Sequence, residues 1–131
     1  MNLQSSVTSE SARPCVLVVD DDPDTRWMTA QALRRDCDVV GSASLAEALA
    51  RARERRPATI LVDLQLGAES GWDLVRSLQA DRALSVVPIV ILSGNTSRTV
   101  PSDLQPCAAY LRKPCRMSEL RQVVAGLCGS S

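Results

Sequence analysis

Four apolar runs along the chain each give way abruptly to polar, chemically active residues. Cys15–Val19 runs into Asp20-Asp21, Thr59–Val62 into Asp63, Val86–Leu92 into Ser93, and Ala108–Arg112 into Lys113-Pro114. Short apolar runs that do not alternate with polar residues read as strands buried on both faces, as in a parallel sheet. Val39-Val40-Gly41 adds a shorter strand between the first two.

The intervening stretches read as helices. Asp22-Pro23 puts a capping carboxylate before a proline at the first helical position. The helix it opens runs to about Arg35, with Trp27, Met28, Ala32 and Leu33 as candidate packing residues. Ser44 and Glu47 form a capping box for a helix ending at Arg56, before Pro57. Ser70-Gly71-Trp72-Asp73 starts a third, with Leu74, Val75 and Leu78 on one face. Leu120, Val123, Val124 and Leu127 share a face of a last helix, predicted over about 117–127. Pro101 and Pro106 leave room only for a short helix over 102–105. Strand and helix thus alternate throughout, which predicts an α/β, doubly wound five-stranded parallel sheet with helices on both faces.

Composition narrows the chemistry. At 131 residues the chain is expected to form one domain over 14–128, after a polar, Ser-rich disordered leader over 1–13 and before a tail over 129–131. Fifteen acidic residues balance fifteen basic ones, so nothing global predicts binding to nucleic acid or to a membrane. Neither a signal peptide nor a long apolar segment stands out, so a soluble, cytoplasmic protein is expected. Histidine is absent, which excludes most zinc sites and catalytic triads. The five cysteines form no C-x-x-C pair and are expected as free or structural thiols. Arg51–Arg56 reads as a solvated helix end favoured by the helix dipole.

In parallel sheets the ligand site lies beyond the carboxyl ends of the strands. There Asp20, Asp21, Asp63, Ser93 and Lys113 are expected to meet: three carboxylates, one hydroxyl and one ammonium. That set suits binding a divalent cation and forming an acyl phosphate on one aspartate. The acidic run is no EF-hand, because Thr25 stands at its sixth position and Gln31 at its twelfth. Each element alone has a plain reading, as a capping turn, a strand-end hydroxyl or a terminating proline. Their joint occurrence at four strand ends carries the argument.

Taken together, Asp20-Asp21, Asp63, Ser93 and Lys113-Pro114 resemble the receiver domain of bacterial two-component response regulators, chemotaxis regulators among them. The resemblance spans about residues 14–128. It implies a flavodoxin-like sheet in the order 2-1-3-4-5, with Asp63 as phosphoacceptor for a sensor histidine kinase or phosphotransfer protein. It further implies Mg²⁺, or Mn²⁺, held by Asp20, Asp21, Asp63 and the backbone carbonyl of Gln65. Lys113 would neutralise phosphoryl oxygens, Ser93 would sense the phosphoryl group, and Tyr110 would move with Ser93 as a switch. Lys113-Pro114 is usually cis in relatives. Output would pass to a downstream protein or to an effector domain outside this chain, and a homodimer is an open alternative to a monomer. By resemblance, Gln65 and Asn95 occupy the positions that tune acyl-phosphate lifetime. Gly71 matches a usual glycine, whereas Gly67 replaces a usual proline, from which a more mobile loop is expected.

Two other functions remain. A phosphate-independent pseudo-receiver would keep the fold as a binding module. A phosphatase of the haloacid dehalogenase type also uses an aspartyl phosphate, but its D-x-D-x-[TV] motif fails at Asp24.

Overall fold

A computed structural model of the chain describes residues 13–94 and 100–128. The expected leader, except Arg13, the expected tail and Asn95 lie outside the described residues. In chain order the elements are β1 (Cys15–Val19), α1 (Pro23–Leu33), β2 (Asp38–Ser42), α2 (Leu45–Glu54), β3 (Thr59–Asp63), β4 (Gln65–Leu66) and β5 (Glu69–Ser70). There follow α3 (Gly71–Ala80), β6 (Ile89–Ser93), β7 (Ala109–Arg112) and α4 (Met117–Cys128). The main sheet is parallel, in the order β2-β1-β3-β6-β7. With β6 and β7 as the predicted fourth and fifth strands, this is the expected flavodoxin-like order.

The apolar strands fill the space between two helical layers. Leu17, Val19, Ile60, Val62 and Ile91 face α2 and α3, where Ala48, Ala52, Leu74, Val75 and Leu78 meet them. Val16, Val18, Leu61, Val90 and Leu92 face the other way, onto Leu33 of α1 and Leu120 and Val124 of α4. Alternate residues of one strand thus feed opposite cores, which is why the runs show no polar alternation. The caps form as the sequence predicts. Asp22 accepts from the Asp24 N–H, and Ser44 and Glu47 exchange bonds through the Glu47 and Ala43 amides.

Three local expectations need correction. In α1, Trp27 and Met28 are not packing residues but lie 63% and 54% exposed, while Thr29 and Leu33 turn inward. The helix carries no sustained apolar stripe, so its rotation follows its tethers and not its hydrophobicity. Val86 is not in a strand; it is 73% exposed, and β6 begins only after Pro88, which has no N–H to donate. The segment 102–105 is a turn, closed by the Leu104 N–H on the Pro101 carbonyl. Side chains hold it where a helix is absent: Arg76 grips Asp103 through two nitrogens, at 2.7 and 3.2 Å. Gln79 pairs with both the N–H and the C=O of Gln105, each at 2.9 Å.

Gly67 also has a defined conformational role. β4 and β5 form an antiparallel hairpin around Gly67-Ala68, and Gly67 takes a φ of +61°. A two-residue hairpin loop with a positive φ at its first position favours glycine, which bears no Cβ to clash. The hairpin also braces α2, since Glu69 accepts from the N–H of Leu45 at 3.0 Å.

Gly71 is required by close approach. A Cβ there would fall 2.6 Å from the Asp63 carbonyl oxygen and 2.7 Å from the Leu64 Cα, both of them backbone. Gly71→Ala is expected to destabilise the domain by about 2–3 kcal/mol through displaced backbone behind Asp63, read from urea midpoints. Leu78→Ala, which empties a fully buried position in the α2–α3 layer, should cost about 3 kcal/mol by the same measurement with the m-value unchanged.

Candidate functional site

Three strands end together at one edge of the sheet. β1 delivers Asp20-Asp21, β3 delivers Asp63, and the Asp63–Leu92 register puts Ser93 one residue further along the neighbouring strand. β7 runs beside β6 to Lys113, whose N–H donates to the Ser93 carbonyl at 2.8 Å. Buried parallel strands force this convergence, because each apolar run stops where the core stops.

One carboxylate oxygen from each of Asp20, Asp21 and Asp63 lies within 4.8 Å of the others. Asp20 and Asp63 are buried and Asp21 is exposed, so the cluster opens to solvent on one side. Lys113 Nζ stands 2.8 Å from Asp63 Oδ2 and 4.0 Å from Asp20 Oδ2. The other Asp63 oxygen accepts from the Gln65 N–H at 3.0 Å. Asp20 Oδ1 accepts from the Asp22 N–H at 2.9 Å. The Lys113–Pro114 peptide bond is cis.

The electrostatics follow from this crowding. Burial pushes the Asp20 carboxyl above its ordinary range, and Asp63 and Asp21 push the same way against the Asp22 amide and Lys113. Burial disfavours the Lys113 ammonium, yet its hydrogen bond to Asp63 and the charges of Asp63, Asp20 and Asp21 win, so its pKa is raised. Among the described residues, one cation paired with three carboxylates leaves the pocket short of positive charge. Hard, clustered oxygen donors of net negative charge are what Mg²⁺ or Mn²⁺ takes. The residues therefore fit a divalent cation, with Asp20, Asp21 and Asp63 able to hold it.

Tyr110 lies on the α3 face of β7, beside Ile91 in the register, half-buried against the core. Its hydroxyl oxygen accepts from the Cys107 N–H at 2.9 Å, and burial raises its pKa. Ser93, partly buried at the end of β6, sits on the same strand pair. One residue at the site escaped the sequence reading. Arg26 Nη1 donates to the carbonyl of Asp20 at 2.7 Å. Only its place in the first helix after the acidic run hinted at that, and nothing in the pattern distinguishes it from a solvated arginine.

The five cysteines occur as free thiols, two of them buried. Among the described residues, no helix is long and apolar enough to cross a membrane.

Comparison with known proteins agrees with this architecture. The family profile described as response regulator receiver domain matches residues 16–125. The DNA-binding response regulator MtrA of Mycolicibacterium smegmatis is 40% identical over 116 residues, covering 85% of this chain and 49% of that protein. The sensor histidine kinase TmoS of Ectopseudomonas mendocina is 30% identical over 120 residues, covering 90% of this chain and 12% of that protein. The chain thus spans about half the length, or less, of these curated relatives. Among solved structures, a sensor protein from Polaromonas sp. JS666 superimposes with a TM-score of 0.81 at 27% identity, covering 89% of this chain and 97% of that one. The chemotaxis response regulator CheY4 of Vibrio cholerae gives 0.76 at 26%, covering 88% and 98%. With nearly all of the folded chain matched and the strand order shared, the chain belongs to the response regulator receiver domains, a signalling family of two-component systems.

Proposed function

We propose that this domain receives a phosphoryl group on Asp63 and passes the event on as a change of shape. The observation that carries the reading is the meeting of Asp20, Asp21 and Asp63 within 4.8 Å, with Lys113 in contact with Asp63. The donor would be a phosphohistidine on a sensor histidine kinase or phosphotransfer protein. A carboxylate oxygen of Asp63 forms a bond to phosphorus as the phosphorus–nitrogen bond breaks. The freed imidazole then takes its proton from solvent.

Phosphoryl transfer asks the protein for positioning and charge compensation more than for covalent work. A bound divalent cation supplies charge to the phosphoryl oxygens and relieves repulsion among the carboxylates. Asp20, Asp21, Asp63 and the Gln65 carbonyl are its proposed ligands. Lys113 exchanges its carboxylate partner for a phosphoryl oxygen, and the Gln65 N–H orients the Asp63 side chain.

Acyl phosphate formation adds about −1.5 to −2 charge and three acceptor oxygens at the sheet edge. Ser93 donates to one of them, which draws the end of β6 inward. Tyr110, tied to the preceding segment by the Cys107 N–H, repacks in response. The two packings form a two-state element biased by local charge. Its output is a protein surface, read by a downstream protein or by an effector domain outside this chain.

Acetyl phosphate with Mg²⁺ should add one phosphoryl mass to wild type and none to Asp63→Asn. Beryllium fluoride with Mg²⁺ should move the amide resonances of Ser93 and Tyr110 in wild type only. An unresponsive wild type, or a variant that responds equally, would favour a phosphate-independent pseudo-receiver. Lys113→Ala should still fold, but should take up phosphoryl groups from acetyl phosphate about tenfold or more slowly, measured by mass spectrometry against time.

A further inference from the structure

Asp20 is 2% exposed and fixed at three points. Its N–H donates to the Ser42 carbonyl at 3.0 Å, as the end of a strand requires. Its carboxylate accepts from the Asp22 N–H at 2.9 Å, an ordinary local turn contact. The third point comes from a side chain of the helix that follows. Arg26, on α1, sends its guanidinium back to the Asp20 carbonyl at 2.7 Å.

To get there the Arg26 side chain crosses β2 at Gly41. A Cβ on Gly41 would lie 3.0 Å from Arg26 Cδ and 3.4 Å from both Cγ and Nε. The missing side chain on β2 and the long side chain on α1 therefore fit one another, although nothing local in either element calls for the pair.

We propose that Arg26 is a positioning residue for the divalent-cation site, and that Gly41 provides the space it needs. The inference rests on the reading of the acidic cluster as a cation site. The carbonyl of residue 20 lies in the peptide plane that joins Asp20 to Asp21. Holding that oxygen fixes the plane, and with it the directions in which both carboxylates leave the backbone. A charge-assisted hydrogen bond is about twice as strong as a neutral one, and Mg²⁺ tolerates little departure from octahedral geometry. Arg26 works through the backbone, since its hydrogen bond goes to the carbonyl of Asp20 and not to a carboxylate.

The test uses Mn²⁺ as probe, with affinity by calorimetry and stability by thermal unfolding. Arg26→Met keeps the apolar stem over Gly41 and removes the donor. Its Mn²⁺ dissociation constant should rise roughly five- to tenfold, the worth of one ordinary hydrogen bond, with an unfolding midpoint near that of wild type. Arg26→Lys, which keeps a charge without the planar fork, should fall between. In the metal-free proteins, the Asp21 and Asp22 amides should exchange with solvent faster in Arg26→Met than in wild type. Gly41→Ala should weaken Mn²⁺ binding in the same direction, and this effect should vanish in an Arg26→Ala background. Affinity of Arg26→Met within about twofold of wild type, or an undiminished Gly41→Ala effect without Arg26, overturns the proposal. A wild-type protein that binds no Mn²⁺ overturns instead the cation reading beneath it.

Discussion

Like charges brought together at the rim of an apolar sheet are the constraint from which the rest of this molecule follows. Asp20 and Asp63 are buried, Asp21 joins them within 4.8 Å, and among the described residues Lys113 is the cation that reaches their carboxylates. Such a cluster is costly by itself, since burial and mutual repulsion both disfavour the ionised forms. It persists because the surrounding fold leaves these side chains nowhere else to go. The same strain is what the proposed cation would relieve and what the proposed phosphoryl group would act on.

Much of the scaffold serves to hold that rim rigid. Two opposed apolar layers fix the strands, so the strand ends cannot drift apart without opening the core. Gly71 lets α3 start in direct contact with the Asp63 backbone. Gln65 caps one Asp63 oxygen from the hairpin that Gly67 turns. Arg26 reaches the Asp20 backbone from α1 across Gly41. Gly71 and Gly41 act as spaces into which something specific fits.

The opposite side of the site is built on other lines. Among the described residues, the connection from β6 to β7 contains no helix. Arg76 and Gln79 of α3 instead bind Asp103 and Gln105 of that segment, and Tyr110 binds the Cys107 amide beneath it. The exposed ion pair contributes little stability on its own. Its geometric effect is larger, because it ties the segment leading into β7 to a helix seated firmly in the core.

By itself the sequence determined the alternation of strands and helices, the helix caps, and the five chemical groups at four strand ends. Burial length, capping chemistry and proline placement are local, and local patterns are legible in one chain. The family resemblance then supplied the strand order, which the residues alone leave open. Only the tertiary structure decided the outward rotation of Trp27 and Met28, the hairpin around Gly67, and the turn where 102–105 suggested a helix. It alone decided the partnership of Arg26 with Gly41. Each of these depends on side chains of different elements that share space: a tether outweighs weak amphipathicity in α1, and side chains of α3 hold the carboxylate of Asp103 and the backbone of Gln105. A pattern read along the chain registers periodicity and punctuation, but not which distant atom fills a gap.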